Sequence, residues 1–457
     1  MAKRIIITVV DGLHFRYIVD AGVLRRIADR GFEVLILTIP ALCKRMEDQT
    51  SQFRQNIQTR LLEDVPLTRM RRIYMSLVSA ANQRLSETLN YKNELFRKNE
   101  PFKYLLLRVL RNLAGTPPYR WIKNWTAASF SSGYYRRMIS EFRPSLIVFS
   151  TPGQKLHDLP LLYECLRAGI ATISPVYSWD NLTAKGPFIF RVDKLIVWNE
   201  IMRDEAIRYH GFTSNDVEIS GVPVFDPYLD VIKEGDQSAD FRLSLGLNPD
   251  KPLITITTIP QIFFGGCHFT LVKRILSFME KGSIRQCAIL LRPHPKDMTD
   301  YAELEGEQNV VVDTYGSAPD DSLMNWVPRN DNITHLGRTM KYSDVVINIA
   351  STITIDAACF DTPIINVAYD MKINDDEYLG TVKRFYSYSH YQHVVESGAA
   401  DIVGNDDELI EAINNALNSP KSRSAQRAAL VRQQTGSLDG RAHERVADSI
   451  VSIITPV

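Results

Sequence analysis

Residues 344–365, DVVINIASTITIDAACFDTPII, contain the strongest local indication of the fold of this chain. A largely apolar, β-branched run fills positions 345–349, a helix opens at Ala350-Ser351-Thr352, and a second apolar run begins at Ile364. Continuous apolar runs are typical of parallel strands that are covered on both faces. The stretch therefore predicts a strand–helix–strand unit of a parallel sheet.

The same alternation extends in both directions and falls into two halves. Apolar runs that predict strands occur at 5–10, 32–38, 145–150, 171–176 and 194–198, and again at 253–258, 288–291, 310–312, 345–349 and 364–367. The polar, acidic stretch at 233–240 is typical of a linker. We therefore predict an α/β protein of two Rossmann-like domains, at 1–225 and 226–437.

Two segments depart from this alternation. Positions 42–142 carry mostly helical patterns, which predicts a large helical insertion in the first domain. The last segment, 438–457, contains a further helix that follows the glycines at 436 and 440. We expect this helix to pack back on the first domain.

Composition and simple motifs exclude several classes of protein. The formal net charge is zero, whereas a general nucleic-acid binder normally has a basic excess. The five cysteines are scattered without a CxxC pair, which argues against a zinc cluster or disulfide framework and favours a cytoplasmic location. No apolar run approaches the ~20 residues of a membrane span. The first loop, at 11–16, lacks the GxGxxG signature of NAD enzymes, and we expect neither a cofactor nor a metal.

Hydroxyl side chains gather at the helix start of the 344–365 stretch, at Ser351, Thr352 and Thr354. Free N–H groups and the positive end of a helix dipole lie at such a position, so we predict that it binds a pyrophosphate. An ordinary N-cap would also require one hydroxyl there. Asp356, one turn into the helix, either accepts hydrogen bonds from ribose hydroxyls or only complements the helix dipole.

A second pair of donor-binding candidates follows the predicted strand at 288–291. Arg292 carries a planar, permanently charged fork that matches phosphate oxygens. His294 stands between two prolines, which restrict the backbone and so the direction of its ring. We predict that both residues bind the donor; a surface turn after an edge strand is the alternative.

These motifs, in this order, resemble those of a known group of enzymes. The matching segments are Gly221-Val-Pro223, RLSLGL at 242–247, Arg292-Pro-His294-Pro, the loop at 351–357 and the tail LDGRAHERV at 438–446. They are similar to GT-B enzymes of bacterial surface-polysaccharide synthesis, including the CDP-glycerol glycerophosphotransferase-like and capsule glycosyltransferase families. The resemblance spans most of 217–450 and the first strand–loop–helix, but not the helical insertion.

The resemblance implies a GT-B fold, with two Rossmann-like domains and a facing cleft, and a metal-independent transferase. Such an enzyme moves a sugar or polyol phosphate from a nucleotide-activated donor to a surface glycan or a lipid-linked acceptor. Ser-Thr-Ile-Thr at 351–354 replaces the acidic-Gly-Gly form that is usual in this loop, so the identity of the donor stays open. An NDP-sugar 2-epimerase and a non-catalytic subunit of a biosynthetic complex are the two alternative functions.

Candidates for the acceptor side follow strands of the first domain. Asp180 lies in a Trp-Asp-Asn-Leu-Thr segment similar to one in related polysaccharide enzymes, and we predict that it is the general base. A turn-forming role is its alternative. His14 is the rival base, and Asp11 is an orienting or capping acid. We expect Lys185 to bind an anionic acceptor and Gly12 to allow close approach of the backbone.

The stretch 101–140 is basic and rich in aromatic residues. It contains seven lysines and arginines, no acidic residue, and Tyr119, Trp121 and Trp125 between the cations. One interpretation is a contact with anionic lipid headgroups or a lipid-linked acceptor, which would make the enzyme peripheral to the inner face of the membrane. The other is a buried helix with solvated arginines around it. The sequence leaves both open.

Overall fold

The computed structural model describes residues 3–51, 56–82, 97–260, 267–304, 306–316, 326–370 and 382–455. Contacts between residues divide the chain into two compact units. Unit 1 comprises Met1–Pro223 together with Arg441–Val457, and unit 2 comprises Val224–Gly440. The chain therefore returns to unit 1 for its last helix.

Unit 1 contains a parallel sheet that has seven strands within the described residues, in the order β3-β2-β1-β4-β5-β6-β7. The strands are β1 (Arg4–Val9), β2 (Glu33–Thr38), β3 (Ile57–Leu61), β4 (Leu146–Val148), β5 (Ala171–Pro175), β6 (Lys194–Val197) and β7 (Val217–Ile219). The residues of β1 after Arg4 are all buried, as expected for a central parallel strand. The strand order changes direction between β1 and β4, which makes this pair the topological switch point of the sheet.

Helices connect these strands, and their ends follow local sequence signals. They are α1 (Gly12–Phe15), α2 (Val23–Ala28), α3 (Pro40–Thr50), α4 (Arg69–Ala81), α5 (Pro101–Leu113), α6 (Pro117–Ala127), α7 (Gly133–Phe142), α8 (Leu159–Ala168), α9 (Asn181–Ala184) and α10 (Glu200–His210). The side chains of Thr68, Ser132 and Asn199 accept backbone hydrogen bonds at the starts of α4, α7 and α10. A π-helical turn, Arg16–Asp20, continues α1.

The predicted helical insertion at 42–142 contains a strand that the sequence analysis missed. β3 pairs with β2 at the edge of the sheet. Its side chains alternate between half-buried and exposed. An edge strand of this kind has no continuous apolar run, and the search for buried strands therefore overlooked it.

The sheet of unit 2 is also parallel, and its order over the described part of the chain is β10-β9-β8-β11-β12-β13. The strands are β8 (Leu253–Thr257), β9 (Ala288–Arg292), β10 (Val310–Val312), β11 (Val345–Asn348), β12 (Ile364–Val367) and β13 (Asp401–Val403). The switch point lies between β8 and β11. Residues 344–365 form β11, a helix and the start of β12, so the strand–helix–strand prediction is confirmed.

The helices of unit 2 cover this sheet. They are α11 (Tyr228–Lys233), α12 (Ser238–Ser244), α13 (Cys267–Glu280), α14 (Asn332–Tyr342), α15 (Ile353–Cys359), α16 (Ser389–Ser397), α17 (Asp406–Asn418) and α18 (Ser424–Thr435). Leu271 and Ile275 of α13 and Leu409 and Ile413 of α17 are buried in one core with the strands, and their spacing of four residues is that of a helix face.

Short 3-10 turns occur in both units, at Ala128–Phe130, Ser214–Asp216, Pro223–Phe225, Ala302–Leu304, Thr314–Gly316 and Val382–Ser387. No helix within the described ranges is long and apolar enough to cross a membrane.

The final helix, α19 (Ala442–Ser452), belongs to unit 1 and packs against α2. Its contacts include an ion pair between Arg26 and Glu444 at 3.2 Å. Arg445 Nε donates a hydrogen bond to the carbonyl of Ser220 at 2.6 Å. Gly440, just before the helix, has a φ of +74°, and a Cβ atom there would lie 2.8 Å from Leu229 Cδ1. Glycine is therefore required at this entry to the helix.

Candidate functional site

Polar residues follow the two strands that flank the switch point of unit 1. Asp11 and His14 come after β1, and a polar segment at 150–158 comes after β4. Because parallel strands end at the same edge of the sheet, these residues meet where α/β proteins bind ligands. Asp11–His14, treated above as part of a loop, includes the first turn of α1, and Gly12 is its buried first residue.

Asp11 caps α1 and holds His14 with the same carboxylate oxygen. Oδ1 accepts hydrogen bonds from the N–H groups of Leu13 at 3.0 Å and His14 at 3.1 Å. The same oxygen lies 2.6 Å from Nδ1 of the His14 ring. Asp11 is 1% exposed and His14 is 2% exposed. The pair is therefore buried, and the position of its carboxylate is fixed by the cap.

The charge of Asp11 decides which nitrogen of a neutral His14 carries the proton. Burial alone would raise the pKa of the Asp11 carboxyl, but His14 and Lys155 lower this pKa well below its usual value. Ionised Asp11 accepts the hydrogen bond, which places the proton on Nδ1. Nε2 is buried and has no hydrogen-bond partner in the part of the chain that the structure describes. An imidazole held in this way can accept a proton from a bound hydroxyl.

Two residues that the sequence analysis did not select complete this cluster. Lys155, in the segment after β4, contacts Oδ2 of Asp11 through Nζ. Tyr177, which follows β5, meets His14 edge-on with 4.3 Å between the ring centroids, and Lys155 Nζ lies 5.8 Å from the Tyr177 centroid. The only feature of the sequence that could have indicated these two residues is that each follows a predicted strand. Since β4 lies between β1 and β5, residues that follow the three strands come together.

A second buried carboxyl, that of Asp158, lies in the same edge of the sheet. Oδ2 accepts hydrogen bonds from the hydroxyl of Thr151 at 2.7 Å and from its N–H at 3.2 Å. Oδ1 has no partner among the described residues. Burial raises the pKa of this carboxyl, and the bond from Thr151 and the nearby His14 only partly oppose the effect. Asp158 is thus a second carboxyl group that lies close enough to His14 for the two charges to interact.

Asp180, the base favoured from sequence, is held in an ion pair. Ser178 donates a hydrogen bond to its Oδ1 at 2.6 Å, and Lys185 Nζ lies 2.8 Å from its Oδ2. Asp180 raises the pKa of Lys185. Burial raises the pKa of the Tyr177 phenol, and the charges of both Asp11 and Asp180 raise it further, so the two carboxylates belong to one cluster around this ring. The side chain of Asp180 makes no capping bond to α9.

In unit 2, four polar residues occupy neighbouring positions at the carboxyl ends of the central strands. Thr257 of β8 pairs with Arg292 of β9, and Asn348 of β11 pairs with Asn366 of β12. Thr257 and Asn348 lie one position beyond the paired residues Ile256 and Ile347. Residues in register on parallel strands point to the same face of the sheet. These residues, the polar row, therefore cross the switch point of unit 2.

Two groups of the polar row lack partners. The hydroxyl of Thr257 and the side-chain amide nitrogen of Asn348 are buried and make no hydrogen bond with any described residue. Both groups can donate hydrogen bonds. The sequence analysis missed Thr257, Asn348 and Asn366 as site residues. The available signal was a polar residue at or next to the end of a buried apolar strand.

Ser351 and Thr352 are placed beside this row. Ser351 Oγ donates to Asn348 Oδ1 at 3.3 Å. Thr352 occupies the N-cap position of α15, but its side chain makes no capping hydrogen bond. Ala350, immediately before them, has a φ of +28°, which a residue with a Cβ atom adopts only at a cost. The two hydroxyls thus follow a strained turn at the carboxyl end of β11.

Thr354 and Asp356 lie in the interior of unit 2. The Thr354 hydroxyl lies 3.0 Å from the Tyr391 hydroxyl and 3.2 Å from Asn366 Oδ1. Tyr228 donates a hydrogen bond to Asp356 Oδ1 at 2.5 Å. Thr354 has no exposed surface, and Asp356 is also buried. In this structure the hydrogen bonds of the two side chains hold α15 against Tyr391, Asn366 and Tyr228.

Arg292 is buried with its charge paired. Its Nη1 lies 2.5 Å from Asp313 Oδ2, and His335 Nε2 lies 2.9 Å from the same oxygen. Burial would raise the pKa of Asp313, but His335 and Arg292 lower it to about 2. At His294 the backbone N–H donates to Thr258 Oγ1 at 2.8 Å, and Nδ1 accepts from the N–H of Lys296 at 3.0 Å. Arg292, a member of the polar row, and His294, two residues after it, thus both have defined orientations.

Metal ligands do not cluster in the described ranges, where no group of three His, Cys, Asp or Glu side chains could hold a metal ion. All five cysteines are free thiols, and three of them are buried. The groups that both switch points offer to a ligand are therefore hydroxyls, amides, imidazoles and paired charges.

Comparison with known proteins identifies a family for more than half of the chain. The model of the CDP-glycerol:poly(glycerophosphate) glycerophosphotransferase family matches residues 188–452. This range contains all of unit 2, with its polar row, and the last helix of unit 1. No curated protein sequence matches the chain significantly.

Solved structures resemble the chain over nearly its whole length. MnaA from S. aureus, solved with UDP, has a TM-score of 0.57 and 10% identity, covering 100% of this chain and 98% of that chain. UDP-GlcNAc 2-epimerase from Neisseria meningitidis, bound to UDP-GlcNAc, has a TM-score of 0.55 and 11% identity, with 99% and 100% covered. A glycosyltransferase from Rickettsia africae has a TM-score of 0.50 and 11% identity, with 98% and 99% covered. At such identities the likeness shows the fold alone.

The fold and the family agree with the expectations from sequence. The two parallel α/β units and their structural relatives confirm the GT-B fold. The family match supports the transferase over the epimerase, whose architecture is the same. The chain belongs to the CDP-glycerol:poly(glycerophosphate) glycerophosphotransferase family and is a transferase.

Proposed function

We propose that this chain transfers a polyol phosphate, or a sugar, from a nucleotide-activated donor to a hydroxyl of a glycan or lipid-linked acceptor, without a metal. The family description names CDP-glycerol and poly(glycerophosphate), which makes them the first donor and acceptor to test. In that reaction the acceptor oxygen bonds to the phosphorus of the glycerol phosphate, the bond from this phosphorus to CMP breaks, and CMP leaves. The acceptor hydroxyl must also lose its proton, so the reaction benefits from a general base.

The observation that carries the proposal concerns buried His14. Its Nε2 has no hydrogen-bond partner among the residues that the structure describes, and its Nδ1 is bonded to ionised Asp11. We assign the general base to His14 and the orienting role to Asp11. Asp180 has both carboxylate oxygens engaged, by Ser178 and Lys185, and accepts a proton less readily for that reason. We assign the Asp180–Lys185 pair, with Gly12, to binding of the acceptor.

We assign the donor to unit 2. Buried donors without a partner cost about 1–3 kcal/mol each unless a ligand bonds to them. Thr257 and Asn348 each carry one such donor at the switch point, as far as the described part of the chain shows. The hydroxyls of Ser351 and Thr352 follow three and four residues after the end of β11 and would add donors for a phosphate. Oriented hydroxyl and amide donors stabilise negative charge, and so this arrangement would favour departure of the nucleotide.

Arg292 and His294 remain in the proposed donor site, in a changed role. Arg292 has five N–H donors, and only the one to Asp313 is bonded among the described residues. Arg292 would therefore support a phosphate through its remaining N–H donors, while its charge stays paired with Asp313. Thr354 and Asp356 are buried by their own hydrogen bonds, and we propose that they position α15 for the donor.

Nucleotide binding is tested by thermal denaturation with CMP, CDP-glycerol and UDP-GlcNAc, each with EDTA and with Mg²⁺. A ligand at 100 times its Kd stabilises a protein by about 2.7 kcal/mol. We expect the cytidine compounds to raise the melting temperature equally in both buffers. An unchanged melting temperature with every nucleotide would contradict the donor site, and a rise that requires Mg²⁺ would contradict metal independence.

The reaction is tested by CMP release from CDP-glycerol. We expect release to depend on an added glycerol phosphate oligomer. Conversion of UDP-GlcNAc to its 2-epimer without any acceptor would instead establish the epimerase. Absence of both reactions and of nucleotide binding would favour the non-catalytic subunit.

A further inference from the structure

We propose that Asp20 and Arg45, on the elements that follow β1 and β2, form a subsite of unit 1 that binds one polyol phosphate unit of a polymeric acceptor. The inference deepens the proposed transfer reaction and rests on it, because it concerns how the enzyme holds the acceptor beyond the hydroxyl that reacts. It is carried by two adjacent polar side chains, each with a buried atom that has no hydrogen-bond partner among the described residues.

The two side chains meet between the π-helical turn that continues α1 and the middle of α3. Arg45 Nη2 lies 3.4 Å from Asp20 Oδ1. The guanidinium carbon of Arg45 lies 5.0 Å from the centroid of the buried Phe15 ring, so the ring supports one face of the cation. The Asp20 side chain is 7% exposed and that of Arg45 is 16% exposed. The pair is thus held in place, while part of the guanidinium stays accessible from solvent.

Only some of the polar atoms of this pair are used. Asp20 Oδ2 and Arg45 Nε are both buried, and neither makes a hydrogen bond with any residue that the structure describes. Burial of such atoms without a partner costs stability, and a ligand that bonds to them recovers it. Because both atoms belong to one ion pair, a single ligand can reach both.

The pair of Arg292 and Asp313 shows a fully bonded buried carboxylate in the same chain. Both oxygens of Asp313 are bonded, and although burial alone would raise its pKa, its bonded and charged neighbours lower this pKa to about 2. Burial raises the pKa of Asp20 to about 6, and the charges of Arg45 and Arg16 oppose this shift only in part. Asp20 is therefore less well compensated than a carboxylate with a purely structural role.

The unused atoms indicate the chemistry of the ligand. The Nε–H of Arg45 needs an acceptor, and Oδ2 of ionised Asp20 needs a donor. The charge of Arg16 also acts on Asp20, so two guanidinium groups accompany one carboxylate, and the excess of positive charge favours an anion. A polyol phosphate offers both anionic oxygens and hydroxyl donors. Poly(glycerophosphate), the polymer in the family description, has a phosphodiester and a free hydroxyl in each unit.

Strand order separates this subsite from the proposed base. The sheet runs β2-β1-β4-β5, and Arg45 comes after β2. Lys155 and Tyr177, the neighbours of the proposed base and its orienting acid, come after β4 and β5 instead. Helix α1 follows the strand between these two groups. We therefore assign the subsite to a unit of the acceptor other than the one that reacts. It lies outside residues 188–452, which the family model matches.

The test is calorimetry of the full chain with a glycerol phosphate oligomer in the absence of nucleotide. We expect Arg45→Gln to weaken oligomer binding roughly tenfold or more, as for the loss of a hydrogen bond to a charged group. Arg45→Gln combined with Asp20→Asn avoids leaving a buried carboxylate without Arg45, so it should unfold at or above the melting temperature of the single variant. It should still bind the oligomer more weakly than wild type. Lys44→Gln, at an exposed lysine next to Arg45 on α3, is the matched control and should bind like wild type.

Two further measurements identify the source of the polyol phosphate. Affinity for CDP-glycerol should be the same in wild type and Arg45→Gln, because the donor is assigned to unit 2. In the CMP-release assay, Arg45→Gln should raise the KM for the oligomer roughly tenfold and act on KM more than on kcat. The KM for glycerol 3-phosphate as acceptor should change much less, because a single unit cannot occupy the subsite and also present its hydroxyl to His14.

Oligomer affinity that is unchanged in Arg45→Gln would overturn the proposal and leave the pair with the role of joining α3 to the π-helical turn. An equal loss in Lys44→Gln would also overturn it, since the effect would then follow from net charge. A loss of CDP-glycerol affinity in Arg45→Gln would make the ligand the donor instead of the acceptor. Wild type that releases CMP but binds no oligomer would exclude the subsite and leave the transfer reaction standing, whereas failure of the transfer reaction would appear in the nucleotide and CMP assays of the wild type.

Discussion

Oδ1 of Asp11 lies 2.6 Å from Nδ1 of His14, and the same oxygen accepts the backbone N–H of His14 at 3.1 Å. Asp11 is the N-cap of α1 and His14 is its third residue, the position that an N-cap side chain reaches. The helix start therefore brings the two side chains together. One carboxylate serves both as a helix cap and as the orienting partner of the imidazole, so variants must separate these two roles.

The first prediction concerns the base. His14→Gln should lower turnover by roughly 10²–10⁴, because the amide of Gln cannot take up the proton of the acceptor hydroxyl. Nucleotide affinity should stay nearly constant. Asp180→Asn should be milder. The measurement is CMP release under saturating donor, with calorimetry for affinity. His157→Gln, in the segment that also holds Lys155, is the matched control and should retain turnover. If Asp180→Asn loses turnover and His14→Gln keeps it, the two roles are exchanged.

The second prediction separates capping from orientation at Asp11. Asp11→Asn keeps a side chain that caps a helix about as well as Asp, so the start of α1 should be retained. It also breaks the buried ion pair with Lys155, so the melting temperature should fall. It removes the negative charge that holds the Nδ1 proton, so turnover should fall roughly 10²–10⁴. Asn199→Asp alters the cap of α10 in the same unit and should leave turnover unchanged. Turnover per folded molecule equal to that of wild type would mean that Asp11 acts only as a helix cap and as the partner of Lys155.

The third prediction uses two threonines on the same face of β8. Thr257→Val removes a buried hydroxyl that has no partner within the described residues, so stability should hold or rise. Nucleotide binding should weaken by about 1.5–3 kcal/mol, the contribution of a hydrogen bond to a charged group. Thr255→Val removes a hydroxyl that lies 2.6 Å from Ser343 Oγ, so stability should fall by about 1 kcal/mol. Its nucleotide affinity should not change.

Calorimetry and thermal denaturation on the same preparations compare the two threonine variants. The donor assignment fails if Thr257→Val binds nucleotide as tightly as wild type. It also fails if Thr255→Val weakens binding as much as Thr257→Val. The loss of affinity would then come from a disturbance of β8 and not from removal of the Thr257 hydroxyl.

The fourth prediction concerns acid stability of unit 2. Arg292 and His335 hold the pKa of Asp313 at about 2, below its ordinary 3.8. A lowered carboxyl pKa contributes stability above the ordinary pKa, here roughly 2 kcal/mol, and this is lost as the pH falls from about 4 to about 2. Asp313→Asn should therefore unfold more easily than wild type at pH 7, with a difference that shrinks below pH 4. Denaturant unfolding at several pH values measures this, and Asp250→Asn, at an exposed carboxylate, is the control. A difference that is constant with pH would exclude the ion pair as its cause.

The class of fold follows from the amino-acid pattern alone. Buried parallel strands require apolar runs at positions such as 345–349 and 364–367, and these runs appear without any knowledge of the partner strands. β3 escaped detection because an edge strand with half-buried and exposed side chains imposes no such run. The hydroxyls at 351–352 and the acids at 11 and 180 were also visible as candidates, since they follow predicted strands.

Which of these candidates remain available for chemistry depends on how the strands are arranged in three dimensions. Asp11 and Lys155 are 144 positions apart, and they meet because β1 and β4 are neighbours in the sheet. The same is true of Arg292, the last residue of β9, and Asp313, which follows the neighbouring strand β10. A side chain's charge state and free lone pairs depend on the groups within hydrogen-bond distance, and those groups are set by strand order, a long-range property that no local pattern contains.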